Sequence, residues 1–380
     1  MIADDEADLI ARRDEVATKL DLLRALMARR GVDALLLTSV ANTAWLTAGA
    51  ATAVDESLET ASFSLLVTQN QARALTDPIE EPRLRVEERL NELGLGLVVE
   101  PWHARGRALR VIVAGKRLAA DVALASGAPA VNLNDELVTL RSRLTLGERA
   151  RLRAGARLAA AAMDEVAHAV RPGMTELEAA ALLAAASRRR GGAATVTLVG
   201  SDERIVRFRH PLPTAKPIER QVMLVLCLRY RGLVSALTRT VYFGEPPAAL
   251  RQLTAAVARV DAQVIAATRP GRTLGELYET LRAAYAAEGQ PDAIEEHHQG
   301  GTIAYLARET FARPGSLARV EVGQAFAWNP SLRGAKSEDT LLLTETGPDI
   351  ITAIEGWPTL SIETDAGPIA RPAILVAPPA

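Results

Sequence analysis

A chain of 380 residues exceeds one typical hydrophobic core, so two domains are expected. Its 48% hydrophobic and 24% charged residues are ordinary for a soluble globular enzyme, and a net charge of −2 argues against nucleic acid or anionic membrane as the main partner. The single cysteine, Cys227, lies in an apolar run, which excludes an intramolecular disulfide and predicts a buried, reduced thiol.

The first residues, MIADDEADLIARRDE, are acidic and lack an apolar core, so they do not read as a signal peptide. No apolar run approaches the roughly 20 residues of a membrane span, and a cytoplasmic location is expected. Residues 20–30 have helical spacing and stop at Gly31. The apolar run 34–37 follows, then Ala41-Asn42-Thr43-Ala44-Trp45-Leu46-Thr47. Short strands are expected over 63–67 and 97–99, with loops at Asp77-Pro78 and Glu81-Pro82, giving an α/β domain over residues 1–140.

Residues 141–380 form the second expected domain, and this half carries an internal echo. Arg171-Pro172-Gly173-Met174-Thr175-Glu176-Leu177-Glu178 recurs as Arg269-Pro270-Gly271-Arg272-Thr273-Leu274-Gly275-Glu276. In each copy Pro-Gly ends one segment and Thr with Glu three residues on can form a capping box. A third such box, Thr145 with Glu148, opens another helix. Strands are expected over 194–199, 222–230, 233–243, 324–328 and 339–344, and the all-apolar stretch 222–226 predicts a strand covered on both faces.

Residues 225–240 read VLCLRYRGLVSALTRT, followed by Val241-Tyr242-Phe243-Gly244. This resembles the strand pair D-x-G-x-x-x-x-G-Y-x-x-D-x-T-R-T-x-x-x-G of the creatinase/prolidase/aminopeptidase P family. Residues 34–47 resemble the "DALLVTS–N–YLTG" opening of that family's amino-terminal domain. The resemblance implies an α+β "pita-bread" fold: a small N-terminal α/β domain, then a C-terminal domain of two related α/β halves around a curved sheet. It also implies a homodimer in which one amino-terminal domain closes over the partner's pocket, with the loop 42–53 near that interface; a loop serving only its own domain is the alternative.

The family usually holds two divalent metals on two aspartates, a histidine and two glutamates. Alignment on Gly232 and Thr238-Arg239-Thr240 puts Val225 and Ala236 at the aspartates; anchoring on Glu309 puts Gly301 at the histidine. Asn329 stands at one glutamate and only Glu338 is retained. The resemblance therefore implies a site without metal or other cofactor. A buried Glu338 then needs cations, and Arg308, Lys336 and His210 are the candidates.

His210, in Arg209-His210-Pro211, matches a pocket histidine that resembles a general acid/base in creatinase, a metal-free member. It is expected to face Glu338, with Arg308 as a third catalytic group and Lys336 as the alternative electrostatic stabiliser. His297, Glu309, Asn329 and Lys336 are the candidate substrate-binding residues. His297 and His298 are expected not to share one pocket, because neighbours along a strand point to opposite faces. His103 and His168 read as structural, and Arg239 as a sheet-anchoring ion pair. Three functions follow: a metal-independent enzyme acting on a small molecule, by C–N bond hydrolysis or related acid/base chemistry; a non-catalytic module binding a short peptide or protein; and, least favoured, an Xaa-Pro metallopeptidase.

Overall fold

The structure, a computed structural model, describes residues 6–123 and 130–379, which divide into two compact units. In the first, helix α1 (Glu6–Arg30) buries Leu9, Val16, Leu20, Leu23 and Met27, a three-to-four-residue spacing that makes one apolar stripe. Gly31, at φ +60, ends it. Strand β1 (Ala34–Ser39) follows, then α2 (Val40–Leu46), β2 (Thr60–Thr68), β3 (Ala72–Thr76), α3 (Glu81–Val86), β4 (Gly96–Val99), α4 (Arg107–Ile112), β5 (Leu118–Ala120), β6 (Val131–Asn132) and α5 (Asn134–Ser142). The strands form one mixed sheet in the order β4-β3-β2-β1-β5-β6.

Two expectations for this unit need correction. Asn42 is not in a loop: residues 40–46 are the helix α2, every residue of it buried. Asn42 donates to Asp121 at 3.0 Å and accepts from Arg141 at 2.6 Å, which locks it inside its own unit. Glu81-Pro82 opens α3 rather than a loop, since proline suits a first helical turn whose N–H groups lack partners anyway.

The second unit contains α6 (Leu146–Ala169) from Arg149 onward, α7 (Glu176–Arg189), β7 (Ala193–Ser201), α8 (Glu203–Arg207), β8 (Gln221–Tyr230), β9 (Leu233–Phe243), α9 (Ala248–Ala267) and α10 (Leu274–Ala287). Then come β10 (Gly300–Ile303), β11 (Thr310–Phe311), β12 (Ala325–Trp328), β13 (Ser331–Leu332), β14 (Ala335–Lys336), β15 (Asp339–Thr344), β16 (Gly347–Ile350), β17 (Thr359–Ile362), β18 (Ile369–Pro372) and β19 (Leu375–Ala377). One sheet runs β19-β9-β8-β7 and another β11-β10-β12-β15-β16. The first is packed by α6 and α7 through Met163, Val166, Leu183, Leu224, Leu226 and Leu237, the second by α9 and α10 through Val260, Val264, Leu277, Leu281, Phe326 and Leu341.

The internal echo is structural. Thr175 and Thr273 both close complete capping boxes, and the Thr145 and Glu148 backbone amides likewise exchange bonds with each other's side chains at 2.7 and 3.1 Å. Gly173 and Gly271 sit at φ +87 and +88, their N–H groups donating to Ile218 O and Val320 O at 2.8 and 2.9 Å. Thr175 bridges to Pro217 as Thr273 bridges to Arg319. Two helix–sheet halves built on the same turn chemistry make this unit. Among the described residues no helix is long and apolar enough to cross a membrane.

Candidate active site

The site is assembled where β9 of one half meets β15 of the other. On β8 and β9, Val225 pairs with Thr238 and Cys227 with Ala236, so alternation puts these four on one face. Leu224, Leu226 and Leu237 point into the core on the other. The apolar run 222–226 is thus covered on both sides, Met223 and Val225 packing with Leu198 and Ile205.

Glu338 precedes β15 and is pinned to β9 by its carbonyl, which accepts from Thr238 N at 3.0 Å. Its carboxylate accepts from the Thr238 hydroxyl at 2.7 Å and pairs with Lys336 at 2.8 Å and Arg308 at 2.9 Å. Burial alone would raise its pKa, but the charges of Lys336 and Arg308 and the bonds from Lys336 and Thr238 hold it down at about 2. The next residue, Asp339, turns to the opposite face and joins Arg239 and Arg371, both at 2.9 Å. Strand alternation therefore separates two charged networks. A cavity of about 480 Å³ on that opposite side, lined in part by Arg239, Asp339, Arg371 and Trp357, is distinct from the Glu338 site.

Three imidazoles lie within range of the charges of Glu338's partners. His210 and His297 meet through their Nε2 atoms at 2.9 Å, and the rings of His297 and His298 lie 4.3 Å apart. Two corrections follow. His297 and His298 do approach one another, because β10 begins only at Gly300 and the strand rule does not reach them. His210 does not bond Glu338; its direct partner is His297, and it senses Lys336, Glu338 and Arg308 through their charges. Partial burial, followed by the Lys336 charge, lowers the pKa of His210 and brings His297 down to about 3; partial burial, then Arg308, brings His298 to about 4, although His210 and His298 keep exposed surface. Burial, then Glu338, raises the Cys227 thiol to about 11, so it stays protonated.

The proton positions follow from donor logic. His297 Nδ1 lies against the carbonyl of His298, which can only accept, so Nδ1 carries the proton and Nε2 is left as an acceptor. His210 Nε2 must then donate to it, leaving His210 Nδ1 as the basic nitrogen. Gln299, fully buried, holds the segment by donating to Ile294 O at 3.1 Å and accepting from Tyr285 at 2.9 Å. Sequence reading missed Gln299, for which there was no signal, and Thr238, whose place in Thr-Arg-Thr was the available one.

Of the other candidates, Asn329 is buried beside this region, its Oδ1 without a protein partner. The Glu309 carboxylate accepts from the backbone of Tyr305 and Leu306 at 3.0 and 3.2 Å, bracing its own loop. His103 and His168 lie elsewhere, His168 against Asp164 and His103 edge-on to Trp102.

The residues do not fit two divalent ions. Such a centre needs several converging carboxylates, whereas Val225 and Ala236 offer no ligand atom and Glu338 is already bonded by two cations. Gly301 sits at φ +155, and a Cβ there would lie 2.0 Å from Thr310 O, so no ligating side chain can occupy the position in this backbone. Among the described residues, only the three histidines form a group with metal-ligand spacing, their ligating atoms all within 4.8 Å of one another.

The sequence profile of Metallopeptidase family M24 matches residues 150–345, and that of the Creatinase/Prolidase N-terminal domain matches residues 19–126. An Xaa-Pro dipeptidase of Pyrococcus furiosus is 28% identical over 171 residues, 42% of this chain and 47% of that one. An agropine synthesis cyclase of Rhizobium rhizogenes is 27% identical over 171 residues, 42% of this chain and 43% of that one. In both, the match spans less than half the relative's length. The solved structure of an Xaa-Pro dipeptidase from Bacillus anthracis superposes over 95% of this chain and 100% of its own with a TM-score of 0.76, at 20% identity, which shows the fold. With the two sequence profiles matched and the two-half architecture in place, the chain belongs to metallopeptidase family M24, the creatinase/prolidase/aminopeptidase P family, and has its pita-bread fold.

Proposed function

We propose that this chain is a metal-independent family member acting on a small molecule in the remodelled pocket, by C–N bond hydrolysis or related acid/base chemistry. The observation that carries this reading is Glu338: the one retained ligand-type carboxylate serves as counter-ion to Arg308 and Lys336, with Val225, Ala236, Gly301 and Asn329 at the other positions.

His210 is the acid/base. Its lowered pKa favours the neutral ring at pH 7, and with Nε2 donating to His297 its Nδ1 is the nitrogen that accepts a proton. The Nε2–H bond to His297 strengthens once the ring is charged, much as a carboxylate supports the histidine of a hydrolytic triad. Arg308 and Lys336, fixed by Glu338, supply positive field for negative charge on the substrate. The Pyrococcus relative's name favours peptide hydrolysis; the Rhizobium relative's name, a cyclase, supports other chemistry on this family's scaffold.

Native mass spectrometry of the purified protein identifies the bound small molecule, and turnover of that compound tests the mechanism. His210→Ala should lower the rate by about 10²–10⁴ with an unchanged circular-dichroism spectrum. Undiminished activity discards His210 as the acid/base, and binding without any turnover makes the chain a non-catalytic binding module.

A further inference from the structure

The buried charges of the pocket do not balance. One carboxylate, Glu338, faces two cations, Lys336 and Arg308; the three side chains are 2%, 5% and 9% exposed. Three neighbouring acids have other partners. Glu309 braces its loop, Glu296 is held by Arg209 and Arg333, and Asp339 belongs to the opposite face.

The spare hydrogen-bonding capacity has the same sign as the spare charge. The Lys336 ammonium has three donors, and its recorded contact is Glu338. Arg308 uses its two terminal nitrogens on Ala307 O and Glu338, while its buried Nε has no partner. Asn329 contributes an amide whose ends exchange on flipping, so it too can present a donor. A surplus buried cation is costly without a counter-charge, and among the described residues Glu338 is the one carboxylate paired with either cation.

We infer that the molecule this pocket takes carries a carboxylate, seated against Lys336 and Arg308 at the place the family gives to metal cations. The inference rests on the metal-independent reading above and names the substrate class: small carboxylic acids, with guanidinium and other cationic compounds disfavoured. A carboxylate accepts from an ammonium and a guanidinium together, returns the buried charge to balance, and leaves His210 Nδ1 facing the rest of the substrate.

The test is thermal unfolding of the full chain at fixed ionic strength with sodium propionate, sodium phosphate, sodium chloride or guanidinium chloride at low millimolar concentrations, below denaturing levels. Propionate should raise the melting temperature over chloride by on the order of a few degrees near saturation. Lys336→Met leaves Arg308 and Glu338 in balance, so it should fold at least as stably in carboxylate-free buffer and lose the propionate effect. His210→Ala should keep it. Arg308→Met has the same charge balance and substitutes if Lys336→Met does not fold. Equal protection by guanidinium, no protection by propionate, or a propionate effect surviving in Lys336→Met would overturn the inference. Protection by phosphate or chloride exceeding that by propionate would mean a structural inorganic anion, and would overturn it also. Bound stoichiometric metal would instead sink the metal-independent reading, so the two failures are distinguishable.

Discussion

Replacing Glu338 by glutamine removes one buried negative charge and leaves Arg308 and Lys336 facing each other, with side chains 9% and 5% exposed. Removing one partner of a buried ion pair typically costs about 3–5 kcal/mol, because the remaining charge is uncompensated. The glutamine carbonyl can still accept from the Thr238 hydroxyl, so the strand junction at 2.7 Å is retained and the loss is mainly electrostatic. For a unit of this size each kcal/mol lowers the melting temperature by roughly 2–4 °C, giving a fall on the order of 6–20 °C. Lys336→Met should cost nothing, because Arg308 still balances Glu338, and the Glu338→Gln/Lys336→Met double variant should recover about 1–3 kcal/mol relative to additivity. Urea unfolding followed by tryptophan fluorescence and circular dichroism measures all three. A Glu338→Gln variant within about 1 kcal/mol of the native protein would refute the buried counter-ion role.

Acid sensitivity is the second expectation. His297 and His298 have folded pKa values of about 3 and 4, below their unfolded value of 6.5, so the unfolded chain binds protons first. Their contribution is complete above pH 6.5 and is lost as pH falls through about 4 for His298 and about 3 for His297, with Glu338 adding a further loss between 4.5 and about 2. Asp261, raised to about 6 by burial, acts oppositely: its stabilisation is complete below 3.8 and lost as pH rises through 6, which partly offsets the slope. A His297→Gln/His298→Gln variant should flatten the loss of melting temperature between pH 6.5 and 4.5; an unchanged slope would discard the assignment. We also propose a homodimer, and sedimentation across a wide concentration range should show it; a strict monomer would remove it.

The strand framework was legible because the information was local. Residues 233–243 and 339–344 form strands over the expected bounds, and the T-x-x-E boxes at Thr145, Thr175 and Thr273 form as read. The Arg308–Glu338–Lys336 cluster was legible from charge and the family resemblance together, since a buried carboxylate needs cations and Arg308, Lys336 and His210 were the candidates at positions the resemblance puts in the pocket; the first two pair with it. What failed depended on backbone details that residue types do not encode. His298 approaches His297 because β10 starts only at Gly300, beyond both residues. Glu309 turns to the backbone of Tyr305 and Leu306 while its neighbour Arg308 turns to Glu338. Asn42 vanished into α2 through bonds to Asp121 and Arg141, partners 79 and 99 residues away.

Elemental analysis of the purified protein tests the central claim most directly. With Val225, Ala236, Gly301 and Asn329 at the positions implied for ligands and Glu338 engaged by Arg308 and Lys336, the account predicts no stoichiometric manganese, iron, cobalt or zinc. It also predicts no hydrolysis of Xaa-Pro dipeptides. Two metals per chain with chelator-sensitive dipeptide hydrolysis would contradict it outright. One metal per chain, lost in His297→Ala, would place an ion on the three histidines and contradict metal independence as well.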